Sequence, residues 1–432
     1  MHCFDIFTPL LLFAVSLLAA PAPLPDAILR ARQAELPGSL AGAQLGQPPS
    51  SVDDAKAKLM AIYGDGKKPG NIFDVSASLV SGGLVTDSVA AITKQVLGVL
   101  TGENSHDNNN PAPPTTIFPQ KGPSDAPYSV DEAALRAAIF MPKDFAAKDK
   151  AGQQPIVLLP GTGNTGFITF QGNYIKLLQA DSRFNPMWVN IPGYLRNDAQ
   201  TNSEYAAYAI NYIGAMTGKK VGVIAWSQGN LNAQWAYKYW PSTIDVTADH
   251  IGISADYHGT VEANLISPLG IINSPSVLQQ KFNSDFITTL RADGGDSAYV
   301  PTTSIYSGFL DEIVEPQQGQ LASAFIQDAR GVGVSNNEVQ VLCKGMEADS
   351  IYTHEGTLYN PIGYALAIDA LTNEGPGDFN RVGTAPCNSF LAQGLDEGDF
   401  VVTENSILVA AVALIFDPNK SFTEPPIKSY AK

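Results

Sequence analysis

The sequence of 432 residues predicts an α/β protein in which a mostly parallel central sheet carries helices on both faces. From position 155 onward, short apolar runs alternate with segments of helical periodicity, which is the pattern of parallel sheets. A serine turn at 225–229 joins an apolar strand to a helix, and a purely helical pattern occupies the region before position 104. We therefore expect one α/β domain over residues 126–432, preceded by a helical N-terminal extension.

The chain begins with a segment that predicts a secretory signal peptide over residues 1–22. Its apolar run at 7–20 is followed by small residues and is too short to span a bilayer. The part before the run carries Asp5 and no Lys or Arg, which departs from the usual positive start. We expect an extracellular protein, with an uncleaved anchor or a buried N-terminal helix as the alternatives.

Residues 23–125 predict a helical extension that ends in a linker. A helix is expected to begin at Ser51, where Ser51 and Asp54 form a capping box. A second helix is expected over 85–99, because apolar residues recur there at helical spacing and a glycine follows. The Asn- and Pro-rich segment 104–125 cannot bury much apolar surface and predicts a linker. The extension is therefore a pro-segment, a lid, or additional core of the main domain.

The main domain is predicted to alternate strands and helices. Strands are expected at 156–159, 188–191, 221–225, 250–254, 304–306 and 339–342. Helices are expected at 174–178, 205–216 and 231–239. Because a helical crossover returns the chain to the same end of a sheet, successive strands are expected to run parallel.

Composition limits the partners of the protein. The formal net charge is −16, with 26 Lys and Arg against 42 Asp and Glu. Such a surface is unsuited to nucleic acid, whose binding depends on Lys and Arg contacts to phosphates, and it repels anionic lipid headgroups. A hydrophobic content of 44% with 16% charged residues is that of an ordinary globular chain. We expect a monomer without a transmembrane segment that acts on a neutral, apolar substrate.

Cysteine usage predicts one disulfide and no metal site. Cys3 lies in the signal segment, which leaves Cys343 and Cys387 in the mature chain. An even pair in a secreted protein indicates a disulfide, and two buried thiols are the alternative. The chain has no Cys-x-x-Cys or His-Glu-x-x-His pattern, so no zinc site is expected. No cofactor is expected either.

The serine turn at 225–229 has the form of a nucleophile elbow. Ser227 follows the apolar strand 221–225 and precedes a helix, and Gly229 stands two residues after it. Such a sharp turn exposes the hydroxyl, and small flanking residues let strand and helix approach each other. The first small position is Ala225 rather than the usual glycine. Taken alone, this pentapeptide is more often an ordinary strand-to-helix turn than a catalytic one.

The partners of Ser227 follow from elimination. In an α/β-hydrolase sheet the nucleophile is followed along the chain first by the acid and then by the histidine. Four of the five histidines lie in the leader, in the linker or too close behind the serine, namely His2, His106, His250 and His258. His354 is left as the base, and Asp311, which follows the strand at 304–306, as the acid that orients it. Each alone has an ordinary interpretation as a loop residue, but their order favours an α/β-hydrolase fold with a catalytic triad.

Acyl transfer also requires hydrogen-bond donors for the oxyanion. The backbone N–H of Gln228, directly after the serine, is one candidate. The Gly-rich loop at 160–166 follows the first predicted strand of the main domain, and Thr162 within it offers an N–H and a hydroxyl. A phosphate-binding loop is the alternative, but this loop lacks the lysine of a P-loop and the spacing of a dinucleotide fingerprint. We expect the oxyanion hole at Thr162 and Gln228.

Short segments distributed over the main domain carry a family resemblance. They are 159–163, 226–229, 233–235, 256–257, 259–260, 274–277, 279–280, 311–314 and 316–317. In this order they resemble the fungal lipase B family. The resemblance implies a triacylglycerol lipase or carboxylesterase with nucleophile Ser227, base His354 and acid Asp311. It also implies an oxyanion hole at Thr162 and Gln228.

The resemblance further implies a substrate that is a neutral lipid or another carboxylic ester, hydrolysed with or without an oil–water interface. It also implies which residues surround that substrate. The residues that match pocket positions of the family are Trp226, Asp256, Val277, Gln280, Ile313, Ile407, Ala410 and Leu414. Cys343 and Cys387 match one family disulfide. Two alternatives stay open: a short-chain esterase or acyltransferase with little triglyceride activity, and a hydrolase-like binding protein without chemistry.

Overall fold

The fold is built around a central sheet. A computed structural model describes residues 31–64, 70–145, 152–261 and 272–432. The predicted signal peptide at 1–22 lies outside these residues. The strands are β1 (Ile139–Phe140), β2 (Gln154–Leu159), β3 (Phe184–Val189), β4 (Val221–Trp226), β5 (Thr247–Ile253), β6 (Thr302–Tyr306) and β7 (Val334–Glu338).

The strands form a mostly parallel sheet. Within the described residues it has seven strands in the order β1-β3-β2-β4-β5-β6-β7. β1 runs antiparallel to β3, and every other neighbouring pair is parallel. This confirms the predicted α/β architecture. The serine turn follows β4, the fourth strand in this order, where neighbours on both sides can contribute to a site.

Helices cover both faces of the sheet. They are α1 (Gly38–Ala41), α2 (Val52–Tyr63), α3 (Ile72–Gly82), α4 (Val89–Leu97), α5 (Glu132–Ala137), α6 (Gly166–Phe170), α7 (Tyr174–Ala180), α8 (Ala199–Thr217), α9 (Gln228–Tyr239), α10 (Ser242–Val246), α11 (Pro275–Gln279), α12 (Asp285–Arg291), α13 (Val339–Leu342), α14 (Pro361–Thr372), α15 (Phe379–Val382) and α16 (Glu397–Ile415). Along β2, Ile156 and Leu158 belong to one buried apolar cluster, whereas Val157 and Leu159 belong to another. Because successive strand residues point to opposite faces, both faces are buried.

The last strand differs from its prediction. The apolar run 339–342 forms the helix α13, and β7 occupies the polar segment before it. Asn337 of β7 donates from Nδ2 to the Ser304 carbonyl oxygen of β6 (3.0 Å). Apolar periodicity reports burial rather than strand pairing, and β7 is an edge strand whose side chains are mostly half-buried. The prediction of a strand at 339–342 was therefore wrong.

The helices of the extension also differ from the predicted pair. The predicted helix over 85–99 began too early, because α4 starts only after Ser88. The Oγ of Ser88 accepts the Ala91 N–H (3.3 Å) and caps the helix. The helix α3 was not predicted. It ends at Gly83, which adopts the left-handed φ of 72° that glycine tolerates best.

The predicted capping box at the start of α2 forms only in part. Ser51 Oγ accepts the Asp54 N–H (3.2 Å), as expected. The Asp54 carboxylate accepts the N–H of Ser50 (2.9 Å) instead of that of Ser51. The helix therefore begins where predicted, with the reciprocal bond displaced by one residue.

The extension packs as part of the main core. Helices α3 and α4 lie against α16, and their apolar residues share one buried cluster with it. The residue just before the predicted linker is anchored to β3, because Trp188 Nε1 donates to the Glu103 carbonyl oxygen (2.8 Å). Among the described residues, α16 has the length and apolar composition of a helix that could cross a membrane. However, 83% of its apolar 18-residue stretch is buried inside the protein. This is the pattern of a core helix.

Candidate active site

The predicted nucleophile lies on a strained turn at the end of β4. Ser227 has φ 53° and ψ −130°, a backbone conformation that is unfavourable for a residue other than glycine. The turn is held because Ser227 donates its N–H to the Ile253 carbonyl oxygen of β5 (3.0 Å). Gly229 is required two residues later, since a Cβ there would lie 2.5 Å from the carbonyl oxygen of Leu159. The elbow therefore forms with the buried Ala225 in place of the usual first glycine.

Asn230 supports this elbow, and sequence reasoning did not identify it. Its Nδ2 lies 3.1 Å from the Ser227 carbonyl oxygen and 3.2 Å from those of Ala225 and Ile253. Its Oδ1 is 3.1 Å from Nε2 of the buried His250. One amide thus joins the turn to the ends of β4 and β5. The sequence signal is a polar residue in the first turn of a helix, which does not reveal its partners.

The predicted base is fixed through nearly all of its polar atoms. His354 Nδ1 lies 2.8 Å from Asp311 Oδ2, and the backbone N–H of His354 donates to Glu312 Oε2 (3.0 Å). The His354 carbonyl oxygen accepts from Trp226 Nε1 (3.1 Å) and Ser254 Oγ (2.9 Å). Nε2 is buried and has no hydrogen-bond partner in the part of the chain that the structure describes. This nitrogen is therefore free for proton transfer.

The predicted acid is itself held by backbone donors. Asp311 is fully buried, and its Oδ1 accepts the N–H groups of Ile313 (3.0 Å) and Val314 (2.8 Å). Its other oxygen faces the imidazole of His354. Burial is the largest single influence on the pKa of His354 and lowers it, but Asp311, through its charge and its hydrogen bond, together with Glu312 and Asp256 outweighs burial, so the pKa is raised above its ordinary value. The pair thus stabilises an imidazolium.

Thr162 and Gln228 meet at the amino end of α9. Thr162 Oγ1 is 2.8 Å from Gln228 Oε1 and 3.1 Å from Gln280 Oε1. Because a hydroxyl carries one proton, it donates to one of these partners at a time. Gln228 opens α9, so its backbone N–H has no intrahelical acceptor and lies at the positive end of the helix dipole. These groups can stabilise a developing oxyanion.

Ser227 and His354 line the same cavity. The other lining residues are Ile72, Thr162, Trp226, Thr260, Val277, Gln280, Ile313, Val314, Ile407, Ala410 and Leu414. Of the residues that the resemblance put around the substrate, all except Asp256 are among them. Most of the wall is aliphatic, so the cavity suits an alkyl chain better than a charged group. Ile72, Thr260 and Val314 were not predicted.

Asp256 is the expected substrate contact that does not line the cavity. It is fully buried, and neither carboxylate oxygen has a hydrogen-bond partner among the described residues. Burial raises the pKa of Asp256 to about 7, while the neighbouring His354 lowers it and Asp311 raises it. The structure therefore places Asp256 near Asp311 and His354 instead of on the cavity wall. Family matching gives a position in the chain, whereas exposure to the cavity depends on packing.

Three glutamates beside the base form a buried group that the sequence did not predict. Glu312 accepts the His354 N–H, Glu355 follows His354 in the chain, and Glu404 comes from α16. Glu404 Oε1 accepts from the Tyr359 hydroxyl (2.8 Å). Burial raises the pKa of Glu312 and of Glu404 to about 7 and that of Glu355 well above its ordinary value, and repulsion between the carboxylates adds to the rise. These residues lie on separate elements, so no spacing in the sequence connects them.

Cys343 and Cys387 form a disulfide, with their Cα atoms 5.4 Å apart. This confirms the predicted pair and excludes the alternative of two free thiols. In the described ranges, no group of three or more His, Cys, Asp or Glu residues is arranged to hold a metal ion.

Comparison with known proteins finds similar chains. No family model matches the sequence. Over 313 residues the chain is 32% identical to lipase B of Pseudozyma antarctica, an alignment that covers 72% of this chain and 87% of that protein. The crystal structure of Aspergillus fumigatus lipase B matches with a TM-score of 0.83 and 45% identity, covering 88% of this chain and 90% of that chain. The 88% of this chain that this structure matches is more than residues 126–432 make up, so the match includes part of the N-terminal extension.

Proposed function

Because this chain belongs to the lipase B family, we propose that it hydrolyses carboxylic ester bonds of neutral lipids, as a triacylglycerol lipase or carboxylesterase. The observation that carries the proposal is the hydrogen bonding of His354. Its other polar atoms are engaged, while Nε2 is free and the residue lines the same cavity as Ser227. The aliphatic walls of the cavity support a neutral ester as the substrate.

The proposed reaction begins with the hydroxyl of Ser227. Its Oγ attacks the ester carbonyl carbon while His354 Nε2 takes the hydroxyl proton. Asp311 holds the other imidazole proton on Nδ1 and stabilises the imidazolium. The former carbonyl oxygen becomes an oxyanion, which accepts from the backbone N–H of Gln228 and from the donors of Thr162.

The second half of the reaction reverses these proton transfers. His354 gives its proton to the oxygen of the leaving alcohol, the ester C–O bond breaks, and the acyl group stays on Ser227 Oγ. A water molecule then gives a proton to His354 and attacks the acyl carbon. Collapse of this second intermediate releases the carboxylic acid and returns the proton to Ser227. These steps use side chains, backbone N–H groups and water.

The test of the mechanism is covalent labelling of the serine. We expect an alkylphosphonate p-nitrophenyl ester to label the wild-type protein with parallel loss of activity, and Ser227→Ala to show neither labelling nor turnover. Ser203→Ala is a matched control, because Ser203 is also buried but bonds the Ala199 carbonyl oxygen of its own helix; it should label normally. Labelling that persists in Ser227→Ala at another residue would sink the proposal.

The choice between lipase and short-chain esterase requires a comparison of substrates. We expect the protein to hydrolyse both tributyrin and emulsified long-chain triglyceride, because the cavity walls are aliphatic. Turnover of tributyrin without any release of long-chain fatty acid would identify the short-chain esterase or acyltransferase. Wild-type turnover no faster than that of Ser227→Ala would favour a hydrolase-like binding protein instead.

We also propose that the protein is secreted. The apolar run at 7–20 and the disulfide between Cys343 and Cys387 support export to an oxidising compartment. The test is expression of the full chain in a fungal host, followed by N-terminal sequencing of protein from the medium. A mature N-terminus directly after residue 20 or 22 is expected. Retention of the full chain in the cell would contradict secretion.

A further inference from the structure

One residue of the cavity wall comes from outside the main domain. Ile72, the first residue of α3 in the extension, lines the same cavity as Ser227 and His354 and is only 4% exposed. We infer that Ile72 is a specificity-determining residue, which selects esters by the length and bulk of an alkyl chain. The inference rests on the proposed ester hydrolysis and assigns the extension a role in substrate choice.

Ile72 is held in place by the cap of its helix. Asn71 is the N-cap residue, and its Oδ1 accepts the N–H groups of Phe73 and Asp74, both at 3.0 Å. Its Nδ2 in turn donates to Asp74 Oδ2 (2.8 Å). These bonds satisfy backbone donors that would otherwise leave the first turn free to fray. The side chain of Ile72 therefore has a defined position at the cavity.

A serine joins α3 to the wall formed by α16. Ser76 Oγ lies 2.8 Å from the Ile72 carbonyl oxygen and 3.5 Å from the Ile407 carbonyl oxygen. Ile407 of α16 also lines the cavity. Because one hydroxyl reaches both backbones, Ile72 and Ile407 are neighbouring parts of a single aliphatic wall.

The far end of α3 is fastened to the rest of the extension. Lys58 Nζ of α2 donates to the carbonyl oxygens of Gly82 (3.0 Å) and Gln47 (2.7 Å). The N–H of Gly46 donates to the Val80 carbonyl oxygen (2.9 Å). Displacing the wall would require moving a helix that is bonded to the rest of the extension at its far end, reaches the Ile407 backbone through Ser76 and packs against α16. The wall is therefore preformed and can exclude substrates by shape.

The chemistry of this wall suits a saturated alkyl chain. Ile72, Ile407 and Leu414 are all branched aliphatic residues that line the cavity. An aliphatic site discriminates between substrates that differ by one methylene by roughly 10- to 200-fold in kcat/KM. A change in the size of Ile72 should therefore alter the preferred chain length.

The experiment compares wild type, Ile72→Ala and Ile72→Phe on two ester series. One series varies the acyl chain of p-nitrophenyl esters, and the other varies the alcohol chain of butyrate esters. We expect Ile72→Ala to raise the ratio of kcat/KM for long over short chains by about tenfold or more in at least one series, and Ile72→Phe to lower it in the same series. Val75→Ala is the matched control, because Val75 lies on the same helix, is 1% exposed and is absent from the lining residues. Its truncation should leave both ratios unchanged.

Titration of Ser227 with the phosphonate normalises each rate to the active fraction. If Ile72→Ala does not fold, Ile72→Val is the milder truncation, for which a shift of the same sign is expected. Unchanged ratios in both series, or an equal shift in Val75→Ala, would overturn the inference. If the wild type is active and labelled at Ser227 but either of these outcomes is found, only the inference about Ile72 is refuted and the proposed function stands. A wild type without Ser227-dependent turnover refutes the proposed function and the inference together.

Discussion

The surroundings of His354 and the wall that carries Ile72 are held by different forces. Directional hydrogen bonds fix His354, with Asp311 and Trp226 among its partners. Helix capping and apolar packing of the extension on α16 fix Ile72. The proposed chemistry therefore depends on polar contacts inside the main domain, whereas the shape of the cavity depends in part on a segment remote in sequence. Each region can therefore be perturbed separately.

Asp311→Asn disturbs the hydrogen bonds around His354, and we expect it to reduce activity more than any other change that separates these two regions. The amide oxygen can still accept from Ile313 and Val314, but the NH2 group then faces Nδ1 and forces the His354 proton onto Nε2. We expect kcat to fall about 10⁴-fold, the loss that this change causes in a chymotrypsin-type triad, with near-normal melting.

Asp249→Asn is the control for this change. Asp249 is a second buried carboxyl, on β5, and burial raises its pKa to about 7. Because it belongs to neither the cavity lining nor the bonds of His354, its variant should keep kcat. Equal activity in Asp311→Asn and Asp249→Asn would show that Asp311 is not the orienting acid.

Leu79→Ala weakens the apolar packing of the extension on α16. Leu79 of α3 is fully buried in the cluster that the extension shares with α16. Truncating such a leucine lowers the free energy of unfolding by about 2–5 kcal/mol, and we expect that loss in urea denaturation with little change in kcat. Met60→Ala on α2, at an exposed position, should be nearly neutral. Separate unfolding of the extension, with the main domain as stable as before, would show that its helices are not part of the core.

Glu404→Gln tests the place where the two regions meet, because α16 packs on the extension and carries Glu404, which lies among the buried carboxyls near His354. Burial raises its pKa from 4.5 to about 7, so the neutral form stabilises the fold. Stability from this source is complete below about pH 4.5 and is lost as the pH rises through about 7. We expect the titration of Glu404 to lower the free energy of unfolding by at most about 3 kcal/mol across that window. Glu404→Gln lacks this contribution, so its free energy of unfolding should fall less than that of the wild type.

The groups that face Glu404 are Glu312, Glu355 and Tyr359, so the measurement reports their shared titration. Urea denaturation at several pH values gives the slope for each variant. Glu397→Gln, on the first turn of the same helix and partly exposed, should keep the wild-type slope. The same slope in Glu404→Gln as in wild type would refute the assignment of a raised pKa to this carboxyl.

The contrast between the two regions also explains what the sequence could predict. The positions of Ser227 and Asp311 were predictable because each stands shortly after a strand, and that of His354 because elimination left it as the histidine that fits the order an α/β-hydrolase sheet fixes along the chain. The role of Ile72 was not, because it depends on contact between α3 and α16; Ser76 and Ile407, which bridge these helices, are 331 residues apart. No local periodicity reports a contact over such a distance.

Polar residues inside the protein escaped prediction for a related reason. Asn230 and Glu404 are buried on helices, where a polar side chain ordinarily indicates a solvent-facing position. Their partners come from other elements and define their roles. β7 was also missed because it is polar: its residues pair with β6, while the apolar run after it forms a helix.

The carbonyl oxygen of His354 is bonded to Trp226, the last residue of β4, and to Ser254, directly after β5. Interior strands of a sheet are among the last parts of a domain to open by local fluctuation. Because His354 is bonded to these strands, we expect it to keep its position for as long as the sheet stays folded. Heat inactivation and global melting of this protein are therefore expected to coincide as one cooperative event.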